Sequence, residues 1–208
     1  MDEVHEFCLR VLGPGADADE AAREAQSEPR GSRVALLSAA ARACRARAVE
    51  YAAAPENGSA PLDLAGAVDE EIRRAVARLP ERQREALALR EVLRLSHEQI
   101  AKVMGIDGAA VAPLLARARL RLRELRRDAP AATGACDQRD RALRALARRQ
   151  DSEPLTGDDD EWLFAHLGSC QECDRAHAAM IEASVCYRAA VPRVAASAGA
   201  ASVPSAPE

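Results

Sequence analysis

The chain has 208 residues, a net charge of −4 and only five aromatic side chains, and it is rich in Ala, Leu, Arg and Glu. These residues favour helices, so an all-α protein is expected. No apolar run approaches the roughly 20 residues that cross a bilayer, and the acidic start MDEVHEF is unlike a signal peptide. We therefore expect a cytoplasmic protein without a membrane partner, whose six cysteines favour metal binding over disulfides.

Residues 1–53 are predicted to form three short helices. The first has one apolar face, formed by Val4, Phe7, Cys8, Val11 and Leu12. Large apolar side chains are few in this segment, so its core is thin and we expect it to pack on the rest of the chain. Cys8 and Cys44 have no Cys or His partner at metal spacing and are interpreted as core residues. Residues 54–61, APENGSAP, then predict a flexible linker.

Residues 62–128 predict a four-helix module with a helix-turn-helix. Ser96 and Gln99 match a capping box at the start of a short helix. Gly105 suits the left-handed position that ends this helix, and Asp107 can cap the next. The last helix carries a continuous apolar seam, formed by Val111, Leu115, Ala118, Leu122 and Leu125. Residues 71–127 hold 14 Lys/Arg and seven Asp/Glu, an excess that indicates contact with nucleic acid or simply solvated helix faces.

The segment 79–127 resembles region 4 of the sigma-70 family, in its extracytoplasmic-function (ECF) group. The matching motifs are Leu79-Pro80, Leu95-Ser96, Gln99-Ile100-Ala101, Gly105 and Arg117-Ala118-Arg119. The resemblance implies docking to the RNA polymerase core and recognition of −35 promoter DNA by the second helix of the helix-turn-helix. The residues it implies for DNA contact are Ser96, Asp107, Gly108, Ala109, Ala112, Arg117 and Arg119. Segments of residues 1–53 are similar to region 2 of the same family.

Two departures from the family pattern bear on DNA binding. The region 2-like segment is shortened between Gln26 and Arg33, and it lacks the aromatic residues on which unstacked bases pack. Where the family has Lys, Ser and Arg in the reading helix, this chain has Ala112, Pro113 and Leu114. DNA binding would then depend on Arg117, Arg119 and the basic end of the helix, with little sequence specificity. The alternative is a helix-turn-helix that serves as a protein-docking surface. His97 lies on the helix-turn-helix and is expected to face solvent.

Residues 129–135 predict a second linker, after which a metal-binding pattern appears. His166-x3-Cys170-x2-Cys173 has the spacing of a zinc knuckle, and Cys136 supplies a fourth ligand. A Cys3His set fills the tetrahedral sphere, so the predicted Zn²⁺ site is structural rather than catalytic. His177 is the substitute fourth ligand, because it lies one helical turn after Cys173.

Residues 136–190 resemble the zinc-binding anti-sigma domain in the order of helix, turn, helix ending in "HL..C..C", and helix. Three apolar faces are predicted there, formed by Leu143 and Leu146, by Trp162, Leu163 and Leu167, and by Met180 and Val185. Residues 191–208 are Ala/Ser/Pro-rich, and a disordered tail is predicted.

The sequence therefore favours a non-enzymatic, ECF-like transcription regulator that binds RNA polymerase core and promoter DNA, with a zinc-binding anti-sigma-like domain fused to it. In the alternative function, the helix-turn-helix docks a partner sigma or anti-sigma protein without binding DNA. An enzyme is not favoured, because the sequence shows neither a catalytic triad pattern nor a phosphate-binding loop.

Overall fold

Helices form all of the regular secondary structure in the residues that the computed structural model describes, which are 2–28, 31–51, 64–128 and 136–190. The all-α prediction is therefore confirmed. The α-helices are α1 (Glu3–Leu12), α2 (Ala16–Ser27), α3 (Arg33–Tyr51), α4 (Leu64–Ala77), α5 (Glu81–Leu87), α6 (His97–Met104), α7 (Gly108–Arg127), α8 (Arg139–Gln150), α9 (Gly157–Ser169) and α10 (Gln171–Ala189). A π-helical segment, Ala88–Val92, continues α5. The predicted linkers 54–61 and 129–135 and the predicted tail 191–208 lie outside the described residues.

The N-terminal helices α1–α3 share one hydrophobic core with the helices α4–α7, which we call the central module. Phe7, Cys8 and Cys44 are buried in that core, so the interpretation of the two cysteines as core residues is confirmed. Polar contacts reinforce the packing, because Arg45 forms an ion pair of 2.7 Å with the buried Glu85. The expectation that the N-terminal segment packs on the rest of the chain is thus confirmed.

The helix-turn-helix of the central module forms as its capping residues predict. The Ser96 side chain accepts from the Gln99 amide while the Gln99 side chain accepts from the Ser96 amide, which completes the capping box. Gly105 ends α6 with a φ of 64°, a left-handed conformation. Asp107 then caps α7 by accepting from the Ala109 amide at 2.7 Å. The axes of α6 and α7 differ by 96°, and α7 continues through Pro113 to Arg127.

Helices α8–α10, which we call the C-terminal module, pack directly on the central module. Leu143, Leu146, Leu163 and Met180 are buried in a second core that also includes residues of α7. The third predicted apolar face is only partly correct. Met180 is buried, but Val185 is 53% exposed, because α10 turns Ala183, Ser184 and Tyr187 toward the central module instead.

Among the described residues, no single helix combines the length and the apolar composition needed to span a membrane. Helices α6 and α7 have the length and apolar composition of a membrane span only when they are taken together, and the chain bends by 96° between them.

The turn between α6 and α7 gives a test of the fold with a matched pair of glycines. Gly105→Ala places a side chain at a left-handed φ and should lower the free energy of unfolding by about 1 kcal/mol. Gly108→Ala, in the first turn of α7, should raise it by up to about 1 kcal/mol, since Ala favours helix. A Cβ at either glycine meets no atom within 4 Å, so a steric clash does not account for the expected difference between the two variants. Urea unfolding measures both, and equal effects would contradict this account of the turn.

Candidate functional site

The C-terminal module covers one face of α7, the predicted reading helix. Ala112, Ala116 and Leu120 follow one another at intervals of four residues and form an apolar stripe along α7. All three are buried in the same core as Leu143 and Leu146 of α8. Ala112 was expected to face DNA, and that expectation is not met in this structure. Its side chain is 3% exposed because the helix packs against α8 at that point.

A buried arginine joins the central module to the C-terminal module. Arg119 is 1% exposed and was also expected to contact DNA, which its position in this structure does not allow. Its Nη2 donates to Glu91 of the central module at 2.7 Å and to Asp151, at the end of α8, at 2.6 Å. Burial alone would lower the pKa of Arg119, but hydrogen bonds to Asp151 and the charges of both acids raise it. The guanidinium is therefore charged and fully paired.

Asp151 collects donors from three parts of the central module. Arg90 donates to its Oδ1 at 2.9 Å and to its backbone oxygen at 2.6 Å. His97 Nε2 lies 2.9 Å from its Oδ2. Burial raises the pKa of Asp151, but the hydrogen bonds from His97 and Arg119 outweigh it and lower the pKa to about 2. The C-terminal module thus places one ionised carboxylate inside the central module.

Glu91 forms the reciprocal contact, from the central module to α10. The hydroxyl of Ser184, which is fully buried, donates to its Oε1 at 2.7 Å. Arg188 donates to its Oε2 at 2.8 Å. We refer to Arg90, Glu91, His97, Arg119, Asp151, Ser184 and Arg188 as the ionic cluster. Each module contributes one carboxylate to this cluster and receives donors from the other.

The start of α6 is held by the C-terminal module as well. The His97 amide donates to Glu153 Oε1 at 2.8 Å, so a carboxylate lies at the N-terminus of this helix, where it is favoured. The expectation that His97 faces solvent was wrong, since His97 is 5% exposed. The reason is that Asp151 and Glu153 approach α6 from the C-terminal module.

The remaining residues predicted to contact DNA lie near the start of α7 or along it. Asp107, Gly108, Ala109 and Arg117 are exposed, and Ser96 is half-buried at the N-cap of α6. Pro113 and Leu114 are half-buried, and Leu114 packs against the main core. Of the two arginines expected at DNA, the structure therefore places Arg117 on the surface and Arg119 in the interior. For the exposed residues, including Arg117, contact with DNA remains a prediction.

The four predicted metal ligands come together at the far end of the C-terminal module. Cys136 precedes α8, His166 lies in the last turn of α9, Cys170 lies between α9 and α10, and Cys173 lies in the first turn of α10. Their ligand atoms are all within 4.8 Å of one another. Cys136 Sγ and His166 Nε2 are 3.6 Å apart, close to the roughly 3.5 Å that tetrahedral Zn–S and Zn–N bonds imply. Within the described residues, Cys136 completes the group, and His177 is not part of it.

An aromatic stack positions the histidine of this cluster. The Trp162 ring lies 4.8 Å from the His166 ring with an interplanar angle of 16°. The guanidinium of Arg141 lies over the Trp162 ring, 4.1 Å from its centroid, and it is held by Asp159 at 2.8 Å. Outer contacts of this kind fix the orientation of a metal-binding imidazole. The residues present therefore fit a closed Cys3His zinc site.

Comparison with known protein families identifies the helix-turn-helix. Residues 69–122 match the family model of sigma-70, region 4. The matched segment, about a quarter of the chain's length, includes α5, α6 and most of α7 and is similar to region 4 of sigma-70 factors. No curated protein matches the chain. The match supports the role of sigma-70 factors in DNA binding, RNA polymerase interaction and transcription.

The ionic cluster was not predicted from the sequence, although part of its signal is there. Glu91 follows Leu87 by four residues, and Arg119 follows Leu115 by four, so helical periodicity places both charges on buried faces. Two opposite charges on inward faces suggest a pair. Asp151, Ser184 and Arg188 carry no such signal, because they depend on how the C-terminal module packs.

Asp151→Asn tests the ionic cluster through its dependence on pH. Because the folded-state pKa lies below the ordinary value of 3.8, the carboxylate stabilises the fold above about pH 4, and this is lost as pH falls toward 2. At pH 7 the variant should lose about 3–5 kcal/mol of unfolding free energy, since Arg119 loses a partner. The difference from the parent should shrink by about 2 kcal/mol between pH 5 and pH 2. Denaturant unfolding at several pH values measures it.

Asp160→Asn is the matched control. Asp160 is exposed and lies 3.7 Å from Arg149, and such surface pairs contribute about 0–1 kcal/mol. A loss for Asp151→Asn no larger than that of the control would contradict the described role of the ionic cluster.

Proposed function

We propose that the chain is an ECF-like transcription regulator of the sigma-70 family whose region 4 domain is restrained by its own C-terminal module. The observation that carries this proposal is the burial of Ala112, Ala116 and Leu120 against α8. A helix that enters the major groove must present a free face to the bases. In the arrangement seen in this structure, which we call closed, α8 occupies part of that face of α7.

The contacts between the modules explain how the closed arrangement is held. The ionic cluster pairs Arg119 with one carboxylate from each module. Glu182 of α10 adds a second set of contacts, because it faces Arg123, Arg126 and Arg127 at the end of α7. Those arginines are the basic end of the predicted reading helix. Their charge is thus partly neutralised within the chain and is less available to DNA phosphates.

A structural zinc ion would support this restraint. The ligands join the residues before α8, the end of α9 and the start of α10. When bound, zinc supplies a cross-link among these three helix ends. The opposite end of α8 leads to Asp151, and the later turns of α10 carry Ser184 and Arg188. The cross-link therefore fixes the helices that present the C-terminal half of the ionic cluster.

A second function is favoured by the sequence of α7 itself. Ala112, Pro113 and Leu114 stand where the resemblance implies Lys, Ser and Arg. Small apolar residues pack well on α8 but offer no hydrogen bonds to bases. If the modules stay closed, the region 4 domain serves as a surface for RNA polymerase or for a partner sigma or anti-sigma protein, without reading a promoter.

Opening the modules from the C-terminal side separates the two functions. Asp151→Ala combined with Glu153→Ala removes the carboxylates that hold Arg119 and the start of α6, and it leaves the region 4 residues unchanged. The open fraction limits apparent affinity, so we expect sequence-selective binding of duplex DNA, measured as the affinity for the enriched motif, to rise at least tenfold. Selection from a random duplex library, followed by sequencing, should enrich one motif with the variant and none with the parent. Binding to RNA polymerase core is measured in parallel.

The matched control is Asp158→Ala with Asp160→Ala, which changes the net charge equally at two exposed positions of α9. An equal gain in DNA binding for the control would mean that charge alone is responsible, and it would contradict restraint by the C-terminal module. Binding to polymerase or to a partner protein without any enriched motif would favour the second function.

The zinc site is tested by metal content. The purified chain should contain about one zinc per molecule, and Cys173→Ser should remove it, because three ligands no longer close the sphere. Cys186→Ser is the control, since Cys186 lies outside the ligand group. Zinc contents are measured by elemental analysis after dialysis. A parent chain without zinc, or equal zinc in parent and Cys173→Ser, would contradict the proposed site.

A further inference from the structure

A groove between α7 and α8 brings basic residues of both modules together. Its volume is about 570 Å³. The central module contributes two arginines and the C-terminal module contributes two more: Arg117, Arg121, Arg139 and Arg144. The acidic residues in its lining are Glu124 and Asp140. The groove thus has an excess of positive charge that neither module provides alone.

Three of these guanidinium groups have donors available for a ligand. Arg117 and Arg144 are exposed, and no hydrogen bond or ion pair engages their side chains in the described part of the chain. Arg139 is half-buried, and its Nη1 is buried without a hydrogen-bond partner. Arg121 is the exception, because it pairs with Glu124 at 3.3 Å. A buried donor without a partner is costly, and an anion in the groove would satisfy it.

The placement of the arginines fits a chain of phosphates better than a single anion. Arg117 and Arg121 are offset by about 6 Å along α7, and Arg139 and Arg144 by about 7.5 Å along α8. Each strand of duplex DNA carries one phosphate per about 3.4 Å of helix axis, so each offset, measured along that axis, spans about two phosphates. The guanidinium fork matches phosphate oxygens in geometry. A single phosphate ion would engage only one end of the groove.

We propose that this composite groove binds the phosphodiester backbone of duplex DNA while the two modules are closed. The binding is independent of base sequence, because the groove uses guanidinium contacts to phosphate and leaves the stripe of Ala112, Ala116 and Leu120 packed on α8. This goes beyond the restraint proposed above. The C-terminal module both covers a face of α7 and supplies Arg139 and Arg144 to a DNA-binding surface.

The test uses the full chain and a fluorescently labelled duplex of scrambled sequence, with affinity measured from 50 to 200 mM salt. Each phosphate contact contributes about 0.9 to the slope of log affinity against log salt. Arg139→Ala with Arg144→Ala should therefore reduce the slope by about 1.8 and weaken binding about 60-fold at 0.1 M salt. Arg42→Ala with Arg149→Ala removes the same charge from exposed positions outside the groove and should leave the slope within about 0.3 of the parent.

Further measurements keep the result interpretable. Arg144→Gln alone should reduce the slope by about 0.9, and since Arg144 is exposed, its unfolding transition should match that of the parent. Equal losses in the groove variant and its control, or an unchanged slope in Arg144→Gln, would overturn the proposal. Displacement of the duplex by millimolar inorganic phosphate at constant ionic strength would also overturn it, because it would show a site for the free ion. The proposed restraint is tested separately, by motif enrichment on opening.

Discussion

The structure depends on one buried charge, the guanidinium of Arg119. A charged group at 1% exposure is tolerated only where opposite charges and hydrogen bonds replace the lost water. Glu91 supplies one carboxylate from within the central module, and Asp151 supplies the other from the C-terminal module. Removing the C-terminal module would therefore leave Arg119 with half of its partners. This requirement ties the two modules more specifically than apolar packing would, since the donors of Arg119 must meet Asp151 in one orientation.

The same packing gives a physical reason for the unusual sequence of the reading helix. Long basic side chains at Ala112 or Ala116 would have to enter the second core, where burial of a charge is expensive. Small residues at these positions let α8 approach α7 closely, and the ionic cluster then forms beside them. The packing of the C-terminal module on α7 thus accounts for the absence of the predicted base contacts on this face. Arg117, which points away from that core, keeps its charge at the surface.

Much of the fold could be predicted from the sequence because its signals are local. The capping box of Ser96 and Gln99, the left-handed Gly105 and the seam of α7 each depend on residues within a few turns. The metal ligands were predicted for the same reason, since the His-x3-Cys-x2-Cys spacing fixes three of them. The fourth ligand, Cys136, lies 30 residues before His166, so spacing fixes its position less closely. The burial of Arg119, Ala112 and His97 depends on contacts between modules that are distant in sequence. Those contacts were not predictable from periodicity, which gives a buried face but not its partner.

The single tryptophan allows a direct test of whether the modules form one cooperative unit. Trp162 lies in α9, so its fluorescence reports the C-terminal module, while the far-ultraviolet circular dichroism reports helices throughout the chain. If Arg119 binds the modules together, both signals should follow one urea transition with the same midpoint. A Trp162 transition that is complete before most of the helix is lost would show that the modules unfold independently, and it would contradict the account.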